Sequence, residues 1–360
     1  MTKEEIQKKI EAVEEEIRKT PYDKSSEFHH GVLKAKLARF RDLLEHKQSS
    51  GSGGGVGYAI KHSGDASVVL LGLPSVGKST LLNALTNADS KVGNYDFTTL
   101  GVVPGMMKYR GVNIQMLDLP GIIEGAAENK GFGKKVLSVA RAADLILIIA
   151  DVRRRGWFEV VEKELYRNGM RLDMEPPKVG IRKTGRGGIQ VIDPFGNFAK
   201  ETTIEIAKEM GLDNAIVSIG ERLGSLDRLI DGMAKSRKYA ATIRVVTKTD
   251  LGGKKYKHGD EVRVSANTGE GLEELREKIW QKLGLVRVYL RRERNGQADK
   301  KEPLIVRANN SLGQVLERIS SQMSEDVSRA LIWGSGARFP GQEVSMSFRV
   351  FDEMEVWFGR

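Results

Sequence analysis

At 360 residues, 40% hydrophobic and 29% charged, the chain is long enough for two or three domains that each bury a core. It has no cysteine, which excludes disulfides, cysteine-ligated zinc and thiol catalysis, and no run of 18 apolar residues to span a membrane. Lys and Arg number 58 against 48 Asp and Glu, and the net charge of +10 favours an anionic partner over a neutral one.

Residues 3–20 carry Ile6, Ile10, Val13 and Ile17 three and four apart, the spacing of one helical stripe. Pro21 and its polar neighbours break that helix. A second runs from about 25 to 47, with Val32, Leu33, Leu37, Phe40, Leu43 and Leu44 facing one way, so residues 1–48 predict a helical hairpin packed through that face. "SSGSGGGVG" has too little side chain to bury and opens a flexible linker over 49–66. The N-terminus shows no apolar leader core, and the expected location is the cytoplasm.

From Ser67 the pattern becomes α/β. "SVVLLGLP", "VNIQMLDLP" and "DLILIIAD" read as strands, the first and last unbroken apolar runs buried on both faces, with helices at "STLLNALTNA" and "GKKVLSVARAA". The rhythm breaks over 152–237, where a helix (157–168), a β-hairpin at "EPPKVGIRKTGRGGIQVID" and two further helices predict an inserted α+β domain. It resumes at "ATIRVVTKTD", "DEVRVSA" and "GLEELREKIWQKLG". The doubly wound sheet is thus expected in two parts, 67–151 and 238–284. Residues 285–360, short strands around a helix at 312–323, predict a small β-grasp module with Trp333, Trp357 and Phe358 in its core.

"GLPSVGKST" matches Gly-x-x-x-x-Gly-Lys-Ser, between a buried strand and a helix. Over Gly72, Pro74, Ser75, Val76 and Gly77 the backbone N–H groups are expected to curl around phosphate oxygens. Lys78 reaches the β- and γ-phosphates, and Ser79, next to Thr80, ligates Mg²⁺. Some 40 residues on, "LDLPG" offers Asp118 to Mg²⁺ through water and the Gly121 N–H to the γ-phosphate. Between them, "YDFTTLG" holds Thr98 and Thr99, both candidates for a switch threonine on Mg²⁺, Thr99 favoured.

"TKTD" at 247–250 departs by one residue from the Asn-Lys-x-Asp signature of guanine readers. Asp250 can accept from guanine N1–H and N2–H₂, which adenine does not offer, and Lys248 packs on the base. Thr247 stands where that signature's Asn contacts N7 and steadies the phosphate loop; its hydroxyl replaces one of those bonds but not all. "VSANTGEGL" supplies Ser265 and Ala266, where a backbone N–H meets guanine O6. A Gln that would orient the attacking water is replaced by Ile122, so hydrolysis is expected to be slow or to depend on another group, a cation or a partner.

With these motifs in place, the chain resembles the Drg (developmentally regulated GTP-binding protein) family of Obg-type GTPases, and looks like an archaeal member. The resemblance is carried by "HHGVLKAKLARFRDLL", by the segments from "GLPSVGKST" to "DLILIIAD", by "EKELYRNGMRLDMEPP" and "RGGIQV" in the insertion, and by the C-terminal segment, similar to a TGS domain. It implies a P-loop GTPase sheet with an N-terminal helical hairpin, an inserted domain similar to one in a small-subunit ribosomal protein, and a C-terminal TGS β-grasp. It also implies a Mg²⁺-dependent enzyme that turns GTP into GDP and phosphate and is associated with ribosomes or RNA in translation. An apolar residue at Ile122 is normal there. Some relatives use K⁺, marked by an Asn where this chain has Ser75, which leaves K⁺ open, and eukaryotic relatives use partner proteins, which leaves a regulatory partner open. The expected state is a monomer without membrane association. The alternative is a nucleotide-stabilised RNA- or ribosome-binding protein with negligible turnover; a weaker third is an ATPase.

Basic clusters lie at Arg153–Arg155, at Arg182, Lys183 and Arg186, and at Arg291, Arg292 and Arg294. The glycine-flanked tip around Arg186 is the favoured tracker of RNA phosphates, and the others read as solvated faces. His29 and His30 form no zinc-like set, so no metal besides Mg²⁺ is assigned.

Overall fold

The computed structural model describes residues 1–21, 23, 26–50, 64–86, 102–119, 132–153, 156–252, 260–319, 327 and 329–359, the side chains at 48–50 and 132–135 excepted. Two compact units result, Met1–Ala59 with Leu165–Tyr239, and Ile60–Glu164 with Ala240–Arg360.

Helix α1 (Lys3–Lys19) starts at a capping box in which the Thr2 side chain accepts from Glu5 N–H and the Glu5 carboxylate accepts from Thr2 N–H. Its Ile6, Ile10 and Val13 bury against Leu33 and Phe40 of α2 (Glu27–Ser50). A single apolar stripe is the expectation for α2, yet it packs two faces. Ala35 and Ala38, fully buried, join a second core with Ile206, Val217 and Leu229 of the inserted segment. A Cβ on Gly31 would meet Leu226 Cδ1 at 2.8 Å, so this second face consists of small residues that let another element close in. Leu43, placed in the hairpin seam by periodicity, is instead 38% exposed and lines a groove of about 830 Å³.

In the other unit β1 (Ala66–Gly72), α3 (Lys78–Leu85), β2 (Val103–Tyr109), β3 (Val112–Asp118), α4 (Phe132–Ala142) and β4 (Leu145–Asp151) follow in order. α5 (Trp157–Arg167) leads into the insertion, whose strands are β5 (Met170–Leu172), β6 (Val179–Lys183), β7 (Ile189–Ile192) and β8 (Ala215–Ile219), with α6 (Lys200–Glu209) and α7 (Leu226–Met233). The sheet resumes with β9 (Lys238–Thr247) and β10 (Val262–Arg263), then α8 (Leu272–Leu283). Its strands lie in the order β10-β9-β4-β1-β3-β2. β1 pairs in parallel with β3 on one side and β4 on the other, so the chain reverses its winding at the C-terminal end of β1. β1 and β4 are buried at every residue, which is why their runs are unbroken. β2, not anticipated from its Pro and Gly content, is an antiparallel edge strand on β3, the position where a missing N–H is tolerated.

Within the insertion, β6 and β7 are not the hairpin the sequence suggested. β8 lies between them, antiparallel to β6 and parallel to β7. "AIVSI" alternates buried and less buried residues and fills the centre, whereas "VGIRK" and "IQVI" are edges. Asn214 holds the crossing, since Gly188 N–H donates to its side chain at 2.8 Å and Thr184 N–H to its carbonyl at 3.0 Å.

The C-terminal strands β11 (Leu285–Leu290), β12 (Leu304–Arg307), β13 (Arg329–Gly334), β14 (Gln342–Val344) and β15 (Met354–Gly359) order as β12-β11-β15-β13-β14, with α9 (Leu312–Ile319). β15 enters the middle, parallel to β11 and antiparallel to β13, as in a β-grasp. Val288, Val315, Ile332 and Val356 bury between sheet and helix, with Phe358 packed against them. Arg291 stacks on Trp333 at 4.0 Å and pairs with Glu355 at 2.6 Å, so this member of the "YLRRER" cluster is a structural cation.

Candidate functional site

Gly72, Asp118, Asp151 and Thr247 all stand at C-terminal strand ends, and the register that sets Gly72 beside Ile149 and Asp151 beside Thr247 brings their loops to one edge of the sheet. Gly72 is required by close approach: a Cβ there would lie 2.4 Å from Ile149 O, forcing β1 off β4. Pro74 and Ser75 are exposed, Val76 is buried, and Gly77 adopts φ +94, a left-handed conformation that favours glycine. Gly77 also caps α3 without a side-chain hydrogen bond, so the first-turn N–H groups, with exposed Ser79 and Thr80 in that turn, are available to an anion.

Lys78 is 8% exposed and donates to Gly72 O at 3.2 Å and Leu73 O at 3.0 Å. Phosphate oxygens are stronger acceptors than these carbonyls, so the ammonium is poised to exchange them. Ser79 donates to Asp118 Oδ2 at 2.5 Å, while Asp118 Oδ1 is buried with no hydrogen-bond partner. Burial raises the Asp118 carboxyl above its usual range, with Ser79 and Lys78 opposing; burial lowers the Lys78 ammonium, with Asp118 opposing. Each group is thus held in a place that penalises its charge more than its neighbour relieves it. A hydroxyl oxygen and an orphaned carboxylate oxygen together suit a hard cation, which takes oxygen ligands. The chemistry of the donors therefore fits Mg²⁺.

At the other end of the loop cluster, Thr247 is 2% exposed and its Oγ1 donates to Val76 O at 2.5 Å, with Ala150 O at 3.3 Å. Lys248, at φ +59, donates to Ser75 O at 2.6 Å. Both side chains thus hold the phosphate loop. Ser265 Oγ donates to Asp250 Oδ1 at 2.8 Å, the main reason the exposed Asp250 carboxyl titrates below its usual range and stays an acceptor. Ser265 N–H is taken by Glu270 O at 2.9 Å, which leaves Ala266 as the backbone donor of this pair. Asn267, which the motif reading passed over, also helps to hold the Asp250 carboxyl below its usual range; its place in "SANTG" was the available signal. Thr98, Thr99, Gly121 and Ile122 lie outside the described residues. Among the described residues, no three His, Asp or Glu cluster as a metal site, and no helix is long and apolar enough to cross a membrane.

A mostly parallel sheet with a phosphate loop at the end of β1, and a second loop carrying the exposed Asp250 carboxylate, defines a P-loop protein of the GTPase class. The family described as 50S ribosome-binding GTPase matches residues 67–183, and the C-terminal region of that domain matches 186–285. A GTP-binding protein of Halobacterium salinarum is 43% identical, covering 97% of each chain. Ribosome-interacting GTPase 1 of Saccharomyces cerevisiae is 38% identical over 96% of each. Developmentally-regulated G-protein 2 of Arabidopsis thaliana is 35% identical over 97% of this chain and 90% of its own. The chain belongs to the developmentally regulated GTP-binding protein family.

Proposed function

We propose that the chain is a Mg²⁺-dependent switch that hydrolyses GTP slowly to GDP and phosphate and engages the ribosome or its RNA from the cytoplasm. The observation that carries the reading is the buried pair of Lys78 and Asp118, whose charges are destabilised by burial and whose Oδ1 lacks a partner. In this reading Ser79, Asp118 and Thr99 hold Mg²⁺, which when bound neutralises charge on the phosphates. Lys78 meets the β- and γ-phosphates, Gly121 the γ-phosphate, and Asp250 with the Ala266 N–H reads guanine. The ribosomal partner is supported by the name of the yeast relative and by the net charge of +10. The C-terminal β-grasp is in keeping with a TGS domain.

Phosphate release measured with and without ribosomes, on the native chain and on Lys78→Ala, tests the reading. Slow release that ribosomes accelerate and Lys78→Ala abolishes is expected. A second reading is favoured by Ile122, which cannot orient water: nucleotide as a structural element of a ribosome-binding protein. Tight GTP binding with no release above the Lys78→Ala background, ribosomes included, selects it and removes the first. Adding K⁺ to the same assay decides whether Ser75 tolerates a K⁺ requirement.

A further inference from the structure

Guanine offers a protein two edges: N1–H, N2–H₂ and O6 on one, N7 beside O6 on the other. N7 is an acceptor, so only a donor can read it. In this base-reading loop the side-chain donor that stands where N7 would be met is already used. Thr247 has one hydroxyl proton, directed at Val76 O at 2.5 Å in a site only 2% exposed. Its other close neighbour, Ala150 O, is a second acceptor competing for the same proton. The Lys248 ammonium gives one of its three protons to Ser75 O at 2.6 Å, which anchors its end on the phosphate loop. A threonine can tether the loop or donate to the base; the geometry commits it to the tether, whose loss would leave a buried carbonyl unpaired.

We infer that this chain reads guanine through the N1, N2 and O6 edge alone and is blind to N7, so that it accepts nucleotides whose five-membered ring is altered at that position. The inference rests on guanine being read by Asp250, and it assigns Thr247 a part in specificity: it widens the range of purines accepted while holding the phosphate loop. Inosine nucleotides, which lack the N2 amine, lose one bond to a carboxylate and so remain discriminated. The pattern of tolerance is therefore asymmetric around the base.

The test is competition against labelled GDP by GDP, 7-deaza-GDP, IDP and ADP on the full chain. The expected result is 7-deaza-GDP within two-fold of GDP, IDP weaker by about ten-fold or more for one lost charge-assisted bond, and ADP weakest. Thr247→Asn, which restores an amide donor, is expected to make 7-deaza-GDP fall several-fold behind GDP, whereas Thr247→Ser keeps the native indifference. A deficit of five-fold or more for 7-deaza-GDP on the native chain, with GDP still preferred over ADP, overturns this inference alone. Failure of GDP to outcompete ADP overturns the guanine reading and this inference with it. The native chain supplies the deciding comparison, so the test does not depend on a Thr247 variant folding.

Discussion

Thr247 and Asp118 show opposite uses of a buried polar side chain. The Thr247 hydroxyl satisfies Val76 O, so Thr247→Val removes the side-chain donor that holds a carbonyl inside the phosphate loop. A buried acceptor left unmade costs about 1–3 kcal/mol. GDP and ADP affinities should therefore both fall, by about ten-fold or more, with their ratio preserved; a change in the ratio would mean the residue reads the base directly. Asp118 is the reverse case, a carboxyl whose burial raises its pKa. A group raised above its unfolded value stabilises the fold most below the unfolded pKa, and that contribution is lost as pH rises through the folded one. At neutral pH the ionised carboxylate thus destabilises the nucleotide-free chain, and Asp118→Asn should raise its thermal midpoint by about 2 °C while abolishing the Mg²⁺ dependence of GTP binding. Asp250 shifts the other way through Ser265. On acidification the Mg²⁺ dependence should disappear first and guanine preference later, a sequence that competition at stepped pH would reveal or refute.

Among the elements, the insertion is held by a buried ionic cluster that no motif announced. Arg171 on β5 donates to both oxygens of Asp231 on α7 at 2.5 and 2.6 Å, and Arg237, leading into β9, adds a bond at 2.6 Å, all three side chains under a tenth exposed. Asp231→Ala strands two buried guanidinium groups and should destabilise this unit by about 3–5 kcal/mol, seen as faster amide exchange in β5 and α7 than in β1 or β4. Equal exchange in both units would place the cluster outside the stability of the insertion. Legibility followed the same physics. β1 and β4 were readable because a strand buried on both faces tolerates few polar residues, and Gly72 to Ser79 because phosphate contact fixes residue types at fixed spacing. β8 was missed because five residues next to helices carry no periodicity of their own, and its absence turned β6 and β7 into a false hairpin. α2 misled for a different reason: small residues at Gly31, Ala35 and Ala38 make a packing face without the apolar bulk that marks a stripe. In the loop at Thr247 to Asp250 the residue types were open to view, but the destination of the Thr247 proton lay 171 residues away in sequence.

Across the whole molecule, a net charge of +10 says little until the paired cations are set aside. Arg171, Arg237, Arg244, Arg287, Arg291 and Arg307 are each bound to a carboxylate and serve the fold. Arg182, Lys183 and Arg186 differ. All three are exposed, and among the described residues no ion pair engages them. They lie on β6 and in the turn beyond it, where β6 is an edge of the sheet and Gly187 and Gly188 take positive φ without side chains to crowd a ligand. Each phosphate neutralised by such a cation releases counterions and steepens the fall of affinity with salt, by about one unit of log–log slope per contact. The triple variant Arg182→Ala, Lys183→Ala, Arg186→Ala should therefore flatten the salt dependence of binding to ribosomes or ribosomal RNA by about 2–3 units, while GDP affinity holds, since none of the three belongs to the nucleotide loops. Binding titrations across a series of salt concentrations measure that slope. An unaltered slope would make these residues a solvated face and move the anionic contact to Arg292 and Arg294 in the C-terminal module.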